Sequence, residues 1–208
     1  MKAILIGATG RVGQSFLELV LGAGHEVTVL ARDPSRIHLT HKKLNVLKAD
    51  VLDKDGLSQA YRSGKWDALI NVVGGNPLKP STIVTNAAEV LVSLAMECGT
   101  RRYLGITGTA EMPKTLFGKI SIFLTKRTPI GNGIRDHDEA LSIIKNSSLD
   151  WFLVGCPWIK DGPTKGNFKR NKVFSGGMRT IHPGDVAQRL LEEFEEPTIH
   201  CGIEGIWY

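Results

Sequence analysis

Residues 3–13, Ala-Ile-Leu-Ile-Gly-Ala-Thr-Gly-Arg-Val-Gly, constrain this chain more than any other stretch. Ala3 to Ile6 is an unbroken apolar run, which suits a strand buried on both faces of a parallel sheet. Gly7, Gly10 and Gly13 follow at GxxGxxG spacing, and Val12, Phe16, Leu19 and Val20 then recur at helical intervals. A strand, a glycine turn and a helix in that order form a phosphate cradle. Glycine supplies the turn dihedrals and lets backbone N–H groups reach phosphate oxygens, and the helix presents its positive end. The expectation is a dinucleotide pyrophosphate seated on Gly7, Thr9, Gly10, Arg11, Val12 and Gly13. Thr9 stands where the GxGxxG fingerprint has its second glycine, and a purely structural glycine turn is the alternative.

The rest of the chain alternates in the same way. Gly22 and Gly24 stop the first helix, and strands are predicted at 27–30, 44–47, 68–73, 102–106 and 151–154. Gly74-Gly75-Asn76-Pro77 ends the fourth strand. Short helices are predicted from Asp55 to Ser63 and from Asp138 to Lys145. The clearest helix carries Ile83, Ala87, Val90, Leu91, Leu94 and Cys98 on one stripe, with Asn86, Glu89, Ser93 and Glu97 opposite and Gly99 at its end. A last helix is predicted from Pro183 to Phe194. Alternating strands and helices imply right-handed βαβ units, hence an α/β fold with a Rossmann-type doubly wound parallel sheet. No linker or repeat divides the chain, so residues 1–208 read as a single domain.

Composition narrows the function. No apolar run approaches the roughly 20 residues needed to span a bilayer. Met1-Lys2 leads straight into a strand rather than a signal peptide. The three cysteines have no CxxC spacing, and a cytoplasmic location with reduced thiols is expected. His38-x-x-His41 lacks acidic or thiol partners, so no metal site is expected. The net charge of +5 includes five bases and no acid between Glu111 and Asp136, and a second group at Lys165, Lys169, Arg170 and Lys172. Neither region has the aromatic interleaving of a nucleic-acid binder. They read as a solvated basic face, or as a positive rim for an anionic cofactor or substrate. Neither nucleic acid nor membrane is expected as a partner, and the protein is expected to be a monomer or homodimer.

The opening through Gly13 resembles that of atypical short-chain dehydrogenases/reductases, specifically the NmrA-like and biliverdin reductase B (flavin reductase)-like NAD(P)-binding group. Leu30-Ala31-Arg32-Asp33, Ala49-Asp50-Val51-Leu52-Asp53, Ser148-Leu149-Asp150-Trp151 and Ile181-His182-Pro183-Gly184-Asp185-Val186-Ala187 extend the resemblance over nearly the whole chain. It implies a 3-2-1-4-5 core strand order with extra strands after it. It also places Arg32 on an adenosine 2′-phosphate, with Arg36 one turn on and Arg11 close by. NADP(H) is therefore favoured over NAD(H); Asp33 turned inward to a ribose hydroxyl would reverse this. Asp50 and Val51 would edge the adenine, although Asp50 also suits a turn-capping carboxylate. Gly74, Gly75 and Asn76 would run along the nicotinamide ribose.

At the reacting end most short-chain dehydrogenases use a Tyr-xxx-Lys pair, in which lysine eases proton transfer by tyrosine. Tyr61 and Lys65 have that spacing but precede the fourth strand, whereas the family's pair follows the fifth. Phe123 near the expected place has no hydroxyl. The resemblance leaves Thr107 or Thr109 to supply a hydroxyl, because the relatives' serine falls at Gly108. It puts Cys156 and Pro157 beside the nicotinamide, and matches His137 to a histidine near the substrate cleft; a plain surface histidine is the equal alternative. The cleft would be formed by 107–137 and 155–180. The expected function is NAD(P)H-dependent reduction of a flavin, quinone or similar conjugated ring, with a small-molecule ring substrate as partner. The alternative is a non-catalytic NADP-binding redox sensor.

Overall fold

A computed structural model of the chain describes residues 1–76, 78–199 and 201–208. Pro77 of the loop after the fourth strand lies outside the described residues. The apolar run at the start is β1 (Lys2–Ile6), and the glycine turn leads into α1 (Arg11–Gly22). There follow β2 (Glu26–Ala31), β3 (Leu44–Lys48), α2 (Lys54–Tyr61), β4 (Ala68–Asn71), α3 (Ile83–Cys98) and β5 (Arg102–Gly108). After β5 come α4 (Leu116–Thr125), α5 (Gly131–Lys145), β6 (Asp150–Cys156), β7 (Trp158–Ile159), β8 (Lys169–Asn171), β9 (Thr180–Ile181), α6 (Pro183–Glu195) and β10 (Gly202–Trp207).

Eight strands make one sheet in the order β3-β2-β1-β4-β5-β6-β10-β8, and β7 pairs with β9 apart from it. All ladders in the large sheet are parallel except β8 against β10. The chain thus has the doubly wound Rossmann-type sheet, with the expected 3-2-1-4-5 core. The strand order reverses beside β1, and a crevice at that point is where such sheets bind ligands.

Alternation along β1 explains why both faces are covered. Ala3 and Leu5 point into a cluster with Phe16 and Val20 of α1 and Leu190 and Phe194 of α6. Ile4 and Ile6 point the other way, among Leu57 of α2, Leu91 of α3 and Ala140 of α5. A strand segment buried on both sides has to be apolar, as Ala3 to Ile6 are once past the exposed Lys2.

Several boundaries depart from the sequence-based expectation. β4 ends at Asn71 rather than residue 73, and α5 begins seven residues before Asp138, the predicted start. α3 also buries Val84, Ala88, Val92 and Ala95, so its covered face is broader than the predicted stripe. The strands after β6 and the helix α4 were not legible. Most of α4's apolar side chains face outward, with Leu116 77% and Phe117 64% exposed, and only Gly118 is buried. No polar face opposes an apolar one in that sequence, which is the contrast helical periodicity needs.

Two polar knots fix the C-terminal part. Asp185, fully buried at the start of α6, accepts hydrogen bonds from the Lys165 N–H at 3.1 Å, the Gly166 N–H at 2.7 Å and the Tyr208 hydroxyl. Arg189 of α6 donates to Glu193 at 2.8 Å and to Glu204 of β10 at 2.6 Å, with its guanidinium over the Phe152 ring. Its side chain is 8% exposed. Breaking such a pair leaves a buried carboxylate without its counter-charge. Arg189→Ala should therefore lower the unfolding free energy by about 3–5 kcal/mol. Urea denaturation of wild type and variant measures the difference, and a loss near zero would mean that water replaces the arginine.

Candidate dinucleotide and substrate site

The glycine turn sits where β1 and β4 end side by side. Gly7 has φ +91°, and a Cβ there would lie 2.7 Å from the Val72 carbonyl carbon. Only glycine satisfies both the dihedral and the approach. The turn closes with the Gly10 N–H donating to the Gly7 carbonyl at 3.0 Å. α1 settles so closely on the turn that a Cβ on Gly13 would stand 2.2 Å from that same carbonyl oxygen. The first turn of α1 has no acidic residue, and its N-cap, Gly10, provides no side-chain acceptor. Its leading N–H groups therefore have no carboxylate or hydroxyl of their own, and an anionic oxygen is the partner they suit. These features fit a pyrophosphate.

The candidates for the adenosine end lie at the ends of β2 and β3. Asp33 Oδ1 accepts from the Ser35 N–H at 3.2 Å and from its hydroxyl at 2.6 Å, capping a 3-10 turn over Pro34–Arg36. The Ser35 hydroxyl holds the Asp33 carboxyl below its ordinary pKa. Arg32 is exposed beside it. Arg11 reaches the other way, donating to the Ile159 carbonyl and to Asp161, both at 3.1 Å. Asp50 accepts from the Leu52 N–H at 3.0 Å and thus caps its own turn, with Val51 half-buried next to it. Gly74, Gly75 and Asn76 form an exposed segment after β4, and among the described residues nothing beyond its own chain neighbours comes within 4 Å of where a Gly74 Cβ would stand.

Thr107 pairs with Gly155 and Gly108 with Cys156 in the β5–β6 register, which sets Thr107, Thr109, Cys156 and Pro157 at adjoining strand ends. Thr107 and His137 line one small cavity of about 10 Å³ together with Asn71 and Tyr103. That volume is close to what one water needs. Burial pushes the His137 pKa below its ordinary value, against the pull of Asp136 and Asp138. Thr109 begins a buried 3-10 turn. Burial pushes the Cys156 thiol up to about 12, which keeps it protonated and poorly nucleophilic. Of the chain's three tyrosines, Tyr103 lines the same cavity as Thr107 and the other two lie elsewhere. Tyr61 is buried at the end of α2, Tyr103 accepts from Asn71 Nδ2 at 2.8 Å in the core, and Tyr208 bonds Asp185.

One site residue went unforeseen. Glu111, 9% exposed, accepts from the Thr107 hydroxyl at 3.4 Å, while its second oxygen is buried without a partner among the described residues. Burial, aided by Asp138, raises its pKa to about 7. Its carboxylate also accounts for Gly108, because a Cβ there would come 2.9 Å from Glu111 Oε2. Nothing in the spacing Thr107-Gly108-Thr109-Ala110-Glu111 signals this burial. The sole hint is an acid standing immediately before a long acid-free stretch. Among the described residues no cluster of three or more His, Cys, Asp or Glu forms a metal-binding group.

A family model described as NAD(P)H-binding matches residues 7–197. The chain belongs to this NAD(P)H-binding family. It therefore carries a nicotinamide dinucleotide, in keeping with the fit of the glycine cradle. The Bacillus subtilis (strain 168) protein YwnB, described as uncharacterized, is 24% identical over 219 residues, covering 95% of this chain and 93% of that one. ChuY from Escherichia coli O157:H7, described as an anaerobillin reductase, superposes with a TM-score of 0.82 at 22% identity, covering 99% of this chain and 96% of its own. A Streptococcus pneumoniae TIGR4 protein provisionally named an NADH-flavin reductase has a TM-score of 0.72 at 23% identity, over 100% and 99% of the two chains. These likenesses show a shared fold.

Two outcomes test the site. Gly10 has an ordinary φ of −82°, so Gly10→Asp should fold while its carboxylate repels the pyrophosphate. NADPH binding, read by fluorescence titration, should fall by more than about a hundredfold, the scale of losing charge-assisted hydrogen bonds. Unchanged affinity in a folded variant would leave the turn a structural device. The second outcome concerns pH. With its folded pKa raised from 4.5 to about 7, Glu111 binds its proton more tightly in the folded state. Its contribution is therefore full at low pH and is lost as pH rises through about 7, by an amount on the order of 3 kcal/mol. Glu111→Gln, which stays neutral, should flatten the fall in stability across that window. Parallel denaturation curves for both proteins at every pH would show that Glu111 ionises freely.

Proposed function

We propose that this protein is an NAD(P)H-dependent reductase that passes hydride to a flavin, quinone or similar conjugated ring, with NADPH as the preferred donor. The observation that carries the reading is how the three tyrosines are placed: Tyr61 is buried at the end of α2, the Tyr103 hydroxyl is bonded to Asn71 and the Tyr208 hydroxyl to Asp185, so none stands free as an acid at the ends of β5 and β6. A carbonyl reduced to an alcohol needs a well-placed acid as the alkoxide forms. A conjugated ring accepts hydride at an electrophilic position, spreads the charge, and can take its proton from water. The family's NAD(P)H-binding assignment supports the donor. The names of ChuY, an anaerobillin reductase, and of the S. pneumoniae protein, provisionally an NADH-flavin reductase, support an acceptor of this conjugated kind.

In this reading Gly7 to Gly13 hold the pyrophosphate, Gly74 to Asn76 follow the nicotinamide ribose, and Pro157 walls the ring. The bound cofactor supplies the hydride. Thr107 orients the acceptor through its hydroxyl, and Glu111 behind it fixes that hydroxyl. His137, kept neutral by burial, offers a hydrogen bond without a charge. The preference for NADPH follows from the adenosine corner: Asp33 is occupied by its own turn, which leaves exposed Arg32 to meet a 2′-phosphate.

A second reading, an NADP-binding sensor without turnover, is favoured by the cavity that Thr107 and His137 line, whose volume of about 10 Å³ has room for a water and not for a ring. Absorbance of reduced nicotinamide separates the two. Purified protein given NADPH and a panel of flavins, quinones and linear tetrapyrroles should oxidise many equivalents with at least one acceptor. Tight NADPH binding without turnover on any of them would move the sensor ahead. Arg32→Glu should weaken NADPH by more than about tenfold relative to NADH, because the new carboxylate repels only the 2′-phosphate. Equal losses for both would remove the NADPH preference.

A further inference from the structure

Among the described residues, the outward face of α4 is a large apolar surface to which the reductase reading gives no role. Leu116, Phe117, Ile120, Phe123 and Leu124 follow one another at helical spacing, and all are more than half exposed. The opposite side of the helix rests on the body. A Cβ on Gly118 would come within 2.5 Å of the Phe174 carbonyl oxygen, and Ile122 packs against the buried Met112, Phe174 and Trp207. The loop that carries the helix extends the patch, with Val173 40% and Met178 98% exposed. Water gains nothing from such a face, so something else covers it.

Charge decides what. Lys119 and Lys126 lie along one flank of the stripe, and Arg127 continues it, its guanidinium 3.6 Å from the centre of the Phe123 ring. No acid occurs between Glu111 and Asp136. The nearest carboxylate partner on this flank, Asp138, is taken by Lys126 at 2.7 Å. A second copy docked by a two-fold axis would set these cations against themselves. A protein partner would have to bury lysines, which interface cores exclude. A sheet of anionic headgroups over hydrocarbon matches both parts: the ring and branched side chains enter the acyl boundary, and the lysines reach up to phosphates.

We propose that α4, with the loop around Met178, docks this protein peripherally on anionic membrane surfaces. No helix among the described residues is long and apolar enough to cross a membrane, and docking of this kind needs none. The proposal departs from the expectation of no membrane partner. The proposal does not depend on the reductase reading, because its test reads binding without any acceptor.

The intact protein is sedimented with vesicles of phosphatidylcholine alone and of phosphatidylcholine with about 30% phosphatidylglycerol. It should bind the anionic vesicles, weaken as salt rises, and bind the neutral ones poorly. Ile120→Glu combined with Phe123→Glu should cut the bound fraction by at least about tenfold, with NADPH affinity and thermal unfolding unchanged. Lys119→Glu is the second variant: it disturbs no packing and should weaken binding to anionic vesicles alone. Absence of binding to anionic vesicles, or binding that both variants retain, overturns the proposal. Light scattering that shows a wild-type dimer split by the double substitution would assign the face to a second copy. A protein partner lost with the same substitutions, in protein that ignores vesicles, would assign it to that partner. Changed KM for a soluble ring acceptor without vesicles would make the face a wall of the cleft.

Discussion

The structure hangs on the contact between Gly7 and the backbone of Val72. A side chain at 7 would collide with the carbonyl of Val72, so the ends of β1 and β4 can lie together only with glycine there. That closeness brings the start of α1 over the gap between the two strands. Gly13 then lets the helix come down onto the turn. The anion cradle is therefore a result of packing: two missing side chains, at 7 and 13, allow three backbone segments to meet, and the helix amides they expose face the same crevice.

The first half of the fold was readable because its determinants are local. β1 has to be apolar on both faces, and α1 and α3 each bury one side, so their periodicities survive in the sequence. The strands after β6 were not readable for the opposite reason. β8 and β10 are held by Asp185, Arg189 and Glu204, which reach across 15 to 23 residues, and a polar residue in sequence carries no mark of where its partner lies. α4 escaped because its apolar residues face outward, so its pattern mimics a buried strand or loop.

The site divides along the same line. The glycine turn and the Arg32–Asp33 corner follow from local geometry, and the structure adds that Asp33 is spent on its own turn. Asp50 caps a turn, one of the two roles open to it. The reacting end is assembled from neighbours in space: the register that sets Thr107 against Gly155 and Gly108 against Cys156 is invisible in one dimension. So is the burial of Glu111, which the sequence presents as an ordinary surface acid.

Gly108 and Glu111 also limit how this chain can change. A side chain at 108 would meet the Glu111 carboxylate at 2.9 Å, and the flexible acid would have to swing away from Thr107 to admit it. A shorter residue at 111 would lift that demand. The two positions form a coupled pair, in which the effect of one change depends on the other.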